Sequence, residues 1–253
     1  MQSAFISDQG KVRRLNEDAG GIYLHPQGHL LAVVADGMGG HRAGDVASKM
    51  AVNKIHELWM DSPAIIKPVD AERWLQSSIE NINENLHLYA KANKDCEGMG
   101  TTIVAAICTD EFVTIGNVGD SRGYIISQAR KIRQVTEDHS FVNALVQSGE
   151  ITKQDAEHHP RKNLLLKSLG SDGLVKPSIS TITIDDGNII LLCSDGLSNK
   201  LDEIILADTI TQAISLNERA SKMVDIANDN GGEDNITIAA VEYIVSEESE
   251  DKK

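Results

Sequence analysis

Asp36, Asp120, Asp195 and Asp234 each stand beside glycine or asparagine at the start or end of an apolar, strand-like run. Their contexts are AVVADGMGG, TIGNVGDSRGYI, IILLCSDGLSN and GGEDNITIAAV. A carboxylate at a strand edge next to a tight turn is fixed by backbone on one side and open to a cleft on the other. Where such edges converge they form a cage of oxygen ligands with neither cysteine nor histidine. That donor set suits Mg2+ or Mn2+ over zinc or copper.

The surroundings of these carboxylates narrow the chemistry. Glycines 37, 39, 40 and 44 follow Asp36 closely and let the main chain turn and bring carbonyls near an ion. The spacing matches neither G-x-G-x-x-G nor a P-loop, and no segment fits the D-x-[DN]-x-[DN]-G loop of an EF-hand. Arg13 and Arg14 precede Asn16, Glu17 and Asp18 in GKVRRLNED. An arginine fork beside a metal cage is what recognition of a phosphate dianion requires.

Elements that hold these residues can be read from periodicity. Strands are expected over 4–6, 21–24 and 30–35, then helices over 47–59 and 70–92. The second helix spaces Trp74, Leu75, Ile79, Ile82, Leu86 and Tyr89 by three and four, a pattern for a packed face. From Thr101 to Val135 come β segments joined by links of a few residues, which suit antiparallel hairpins and not parallel crossovers. A helix over 140–147 and a capping box opening at Thr152 mark a helical excursion across 140–168, with a basic cluster at Arg161 and Lys162. Strands over 179–184 and 188–193, helices over 202–214 and 218–228, and a strand over 236–243 complete the chain. Antiparallel strands with helices grouped in sequence predict an α+β layered sandwich.

The chain has 253 residues and a formal charge of −14 from 38 acidic and 24 basic side chains. That balance argues against non-specific binding to nucleic acid or anionic lipid. No linker or repeat divides the chain, so a single domain over 1–244 and an acidic flexible tail over 245–253 are expected. The N-terminus lacks a signal-like apolar segment, apolar runs are too short to span a bilayer, and Cys96, Cys108 and Cys193 show no pairing pattern. These features lead to the expectation of a cytoplasmic protein with buried, free thiols.

In order along the chain stand R-x-x-N-E-D, DGMGGHRAG, GMGTT, VGDSR, EDHS, SDGL and GGEDNIT. Together they resemble the metal-dependent Ser/Thr protein phosphatases of type 2C across residues 3–243. AGDVASKMAV and QDAEHHPRKN resemble the compact bacterial members that oppose Hanks-type kinases. The resemblance implies a four-layer sandwich: two central antiparallel β-sheets flanked by antiparallel helices, with metals in a cleft at one edge. It implies Mn2+ or Mg2+, two ions centrally and a third, weaker one. Asp36 would bridge the central pair, the Gly37 carbonyl would complete one ion, and Asp195 and Asp234 would hold the other. Asp120 with Asp195 would bind the third. Arg13 would grip the phosphate and His41 would act as general acid for the leaving serine or threonine oxygen. Asp18, Glu17 and Asn235 would orient metal-bound water from behind the direct ligands. The implied reaction is in-line attack by a water shared between two ions on the phosphomonoester of a protein. Implied partners are phosphorylated proteins, including a Hanks-type kinase and its substrates, met by a monomer with no nucleic acid or membrane insertion. The 140–168 region would be a flap that recognises substrate. A metal-binding pseudophosphatase scaffold and a small-phosphoester hydrolase are the alternatives.

Overall fold

Period-two alternation of apolar side chains sorts the strands of this protein into layers. The computed structural model describes residues 1–40, 43–65 and 67–244. The chain opens with β1 (Gln2–Asp8), β2 (Asp18–Leu24) and β3 (Leu30–Met38), then α1 (Ala43–Met60) and α2 (Pro68–Ala92). A meander follows: β4 (Gly100–Thr101), β5 (Ile103–Cys108), β6 (Phe112–Val118), β7 (Arg122–Ile126) and β8 (Ile132–Gln134). The helical excursion holds α3 (Phe141–Gln147) and α4 (Lys153–Glu157). Last come β9 (Ser178–Thr183), β10 (Ile189–Cys193), α5 (Asp195–Ser198), α6 (Glu203–Ile210), α7 (Leu216–Asp229) and β11 (Ile236–Glu242).

Two sheets result, with strand orders β1-β11-β10-β7-β8 and β2-β3-β5-β6-β9, the short β4 pairing with β3. All pairings are antiparallel. In β5 every residue is buried, and alternation appears as membership of two different cores. Ile103, Ala105 and Ile107 pack beneath α1 and α2, while Val104, Ala106 and Cys108 join Ile190, Leu192, Ala239 and Val241 between the sheets. On the other sheet Ile189, Leu191, Ile238 and Ala240 face α5 to α7. The order of layers is helix, sheet, sheet, helix, the α+β sandwich expected.

Small side chains set the spacing of the outer layer. α1 presents Ala47, Ala51, Ile55 and Trp59 as its buried stripe, and the Trp59 indole donates to the Tyr23 carbonyl at 3.1 Å. α2 starts with proline in its first turn and buries Leu75, Ile79, Ile82 and Leu86 at helical spacing. Ile55→Ala would cost about 2–5 kcal/mol through the cavity it leaves.

Some boundaries differ from the sequence reading for visible reasons. β2 starts three residues early, at Asp18, because Gly20 accommodates the Phe5 ring where a side chain would collide. The helix expected over 202–214 stops at Ile210. There the Arg219 guanidinium takes the carbonyls of Ile210 and Ile214, and the chain turns into a capping box of Ser215 and Glu218. All three cysteines are buried and free. Among the described residues no helix is long and apolar enough to cross a membrane. The tail 245–253 lies outside the described residues.

Candidate metal centre

The carboxylates meet at one rim of the space between the sheets. Asp36 lies inside β3, two residues before its end, and not at the strand terminus that the apolar run suggested. It shares a face with Ala32 and Val34, so it continues the inter-sheet core outward into an acidic rim. Its register partner is Asp18 at the start of β2, which puts two carboxylates side by side. From the other sheet comes Ser194, whose hydroxyl donates to Asp18 Oδ2 at 2.7 Å and accepts from the Thr237 N–H at 2.9 Å. Asp195 opens the short helix α5, an element the sequence reading took for a turn. Asp120 sits in the bend between β6 and β7, and Asp234 in the bend that leads into β11.

Missing side chains allow this convergence. A Cβ at Gly37 would collide with the Gly44 carbonyl in the first turn of α1 and with the Glu17 carbonyl. One at Gly196 would strike the Asn235 carbonyl. The Asp36 backbone is held by the GMGTT segment: its N–H donates to Thr102 Oγ1 at 2.9 Å, and its carbonyl accepts from the Thr102 N–H at 2.8 Å and the Thr101 hydroxyl at 2.9 Å.

Electrostatics at the rim are strained in one direction. Burial raises the Asp18 carboxyl to about 7, with Asp195 and Asp234 adding repulsion. Burial likewise raises Asp120 to about 7, helped by Asp195 and Asp138. Asp36 is pushed well above the usual carboxylate range by burial and then by Asp18, Asp195, Asp120 and Asp234. Asp195 moves the same way, through burial and then Asp234. Buried carboxylate oxygens normally find donors, yet Asp18 Oδ1 and Asp195 Oδ1 have no hydrogen-bond partner. Acceptors left free in a cluster of mutually repelling carboxylates fit a multivalent cation. Among the described residues no three acidic, cysteine or histidine side chains stand ready to enclose an ion by themselves. The donors therefore fit hard ions that retain much of their water and take only one or two carboxylates each.

Among the described residues Arg13 is the cation that hydrogen-bonds to one of the proposed metal-binding aspartates. Arg13 donates from Nη2 to Asp234 Oδ2 at 2.8 Å, with half its side chain exposed. The Glu17 carboxylate lies against Gly44, and its Oε1 is also without a partner.

Comparison with known proteins agrees with this geometry. The sequence model of the family described as protein phosphatase 2C matches residues 10–230. The chain belongs to the protein phosphatase 2C family. Members of this family are metal-dependent serine/threonine phosphatases. Over 251 residues the chain is 44% identical to the serine/threonine phosphatase stp of Listeria welshimeri, covering 99% of each. The crystal structure of the serine/threonine phosphatase Stp1 from Staphylococcus aureus superposes with a TM-score of 0.89 at 38% identity, covering 94% of this chain and 93% of that one. The catalytic domain of the phosphatase PstP, solved in complex with two manganese ions, gives 0.83 at 30% identity over 96% of this chain and 98% of that one.

Within this protein phosphatase 2C chain the other singled-out residues separate clearly. His41 lies outside the described residues. Asn235 donates both of its amide hydrogens to backbone carbonyls of the 9–17 loop. His139 is structural, its Nδ1 accepting from the Gly119 N–H at 3.1 Å and its Nε2 bonded to the Ser178 hydroxyl at 2.8 Å. In the flap Thr152 and Asp155 form the expected capping box, and Arg161 lies over the Phe141 ring, which also meets His159. Sequence reasoning passed over Ser194, Thr102 and Asp138. All three were written in motifs, SDGL, GMGTT and EDHS, but neither a hydroxyl nor a lone carboxylate in a turn carries a signal of its own.

Proposed function

We propose that the acidic rim is a two-ion phosphatase centre that hydrolyses phosphoserine and phosphothreonine in proteins. The observation that carries this reading is the convergence of Asp36, Asp195 and Asp234 with Asp18, where Asp18 Oδ1 and Asp195 Oδ1 are buried without partners, on a rim faced by Arg13. Asp36, Asp195, Asp234 and the Gly37 carbonyl would hold the central ions, Mn2+ or Mg2+, and Asp120 with Asp195 a third. When bound, such ions acidify water and offset charge on a phosphoryl group. Asp18, fixed through Oδ2 by Ser194, keeps Oδ1 as a free acceptor that orders solvent at the centre. Arg13 exchanges its contact with Asp234 for two oxygens of the substrate phosphate, a pairing its planar fork suits. His41 protonates the departing serine or threonine oxygen.

The flap over 140–168 would read the protein around the phosphate, with Arg161 and Lys162 as cations in an acidic chain. The Listeria relative is named a serine/threonine phosphatase, which supports phosphorylated proteins as substrates here, including a Hanks-type kinase and its targets. We place the protein in the cytoplasm as a monomer. The test is dephosphorylation of phosphoserine, phosphothreonine and phosphotyrosine peptides with Mn2+, with Mg2+ and with chelator. Metal-dependent release from the first two supports the reading; chelator-resistant turnover overturns it.

A further inference from the structure

The loop from Gln9 to Glu17 carries Arg13 but has little core of its own: Val12 is 63% and Leu15 42% exposed. Backbone pairs tie it at its two ends, the Lys11 N–H to the Gly232 carbonyl and the Glu17 carbonyl to the Gly37 N–H, and one side chain adds three contacts to its main chain on either side of Arg13. Asn235, 5% exposed, donates from Nδ2 to the Gln9 carbonyl at 2.8 Å and the Leu15 carbonyl at 3.0 Å. Its Oδ1 accepts from the Glu17 N–H at 2.8 Å. These contacts bracket Arg13 on both sides, and both amide donors are spent. The Gln9 side chain closes the loop from within, donating to the Arg13 carbonyl at 2.7 Å. The Asn235 N–H donates to Asp234 Oδ1 at 2.9 Å, and Asp234 Oδ2 accepts from the Arg13 guanidinium. Asp234 thus holds the arginine's head while its neighbour holds the main chain at residues 9, 15 and 17 that flank the arginine.

We propose that Asn235 is a positioning residue for phosphate: it sets the 9–17 loop so that the Arg13 guanidinium stands over the centre. This rests on the reading of Arg13 as the phosphate-binding group. An ungripped loop lets the guanidinium wander, so phosphate affinity falls while the carboxylates keep their ions. A side chain that instead ordered water at the ions would, when removed, change metal affinity and turnover.

A double-mutant cycle distinguishes these outcomes. Arg13→Ala, Asn235→Ala and the double variant are compared for KM and kcat on a phosphothreonine peptide and for inhibition by inorganic phosphate. Mn2+ affinity is measured by calorimetry without substrate. N235A is expected to raise KM and the phosphate inhibition constant roughly tenfold, the value of about one well-placed hydrogen bond. Mn2+ affinity should stay at the wild-type level, and the double variant should be no worse than R13A. Additive losses, or weakened Mn2+ binding with normal phosphate inhibition, would overturn the assignment of Asn235 alone. An R13A enzyme with normal phosphate inhibition would overturn the Arg13 reading, and this one with it. If N235A does not fold, Asn235→Ser breaks the same bracket and is read by the same criteria.

Discussion

The VGDSR segment faces two ways, and its halves obey opposite rules. Arg122 turns to the corner formed with EDHS, where Nε and Nη2 meet both oxygens of Asp138 at 2.7–3.1 Å. Gln134 adds a donor to Asp138, Asn143 takes its carbonyl, and His139 is tied to Gly119. Polar groups named at this corner are answered by partners. Two residues earlier in the chain, Asp120 joins the rim, where carboxylates repel each other and Asp18 Oδ1 and Asp195 Oδ1 have no donor. A satisfied buried network holds shape, whereas an unsatisfied one holds capacity for a ligand. Both regions are equally motif-rich, so motif density alone does not separate them.

Substitutions should separate them instead. The largest effect is expected from Asp36→Asn: phosphopeptide turnover should fall at least a thousandfold, roughly 4 kcal/mol of barrier. Thermal stability without metal should hold or rise, since the substitution removes a group whose ionisation burial and four neighbouring carboxylates oppose. A folded D36N enzyme with wild-type turnover would break the contrast outright. Arg122→Ala should do the reverse, removing about 2–3 kcal/mol of folding stability in denaturant titrations through its charged hydrogen bonds. Turnover per folded molecule should persist, and a stable but inactive R122A would put the corner in the reaction.

Asp120→Asn should fall between, slowing turnover about tenfold, near 1.4 kcal/mol, while the Mn2+ affinity of the central pair stays unchanged in calorimetry. An unchanged rate would remove the third ion from the scheme. The smallest effect, none, is expected from thiol alkylation. Burial pushes the Cys108 and Cys193 thiols up to about 12, so almost no thiolate exists at pH 8. Iodoacetamide on the native protein should spare activity; rapid, metal-independent loss would transfer chemistry to a cysteine.

How much was legible beforehand follows from how far each signal travels. The sandwich was readable because alternation and short links act over a few residues, as in TTIVAAIC and EFVTIGNV. The acidic positions were readable because glycine turns announce them locally. Asp36 was misplaced at a strand end, since only the pairing of Asp36 with Asp18 and of Gly37 and Met38 with β4 shows that β3 runs on through DGM. Asp195 was read in a turn because a four-residue helix has no periodicity to detect. The role of Asn235 was hidden by distance: its partners lie more than 200 residues away in sequence, and an amide in a polar loop predicts nothing about them. Ser194 was invisible for the same reason, as its meaning depends on a carboxylate from the opposite sheet.

The crowding at Gly37 bears on how this centre could be re-engineered. Three stretches of main chain, from the 9–17 loop, β3 and the head of α1, touch there without any intervening side chain. A protein engineer seeking a different metal preference has no adjustable group at that carbonyl, because the smallest added methyl would act as a wedge between strand and helix. Retuning must come from the carboxylates that face the opening or from the loop that carries Arg13. The scaffold side of the cage is fixed hardware, and only its open side offers settings to change.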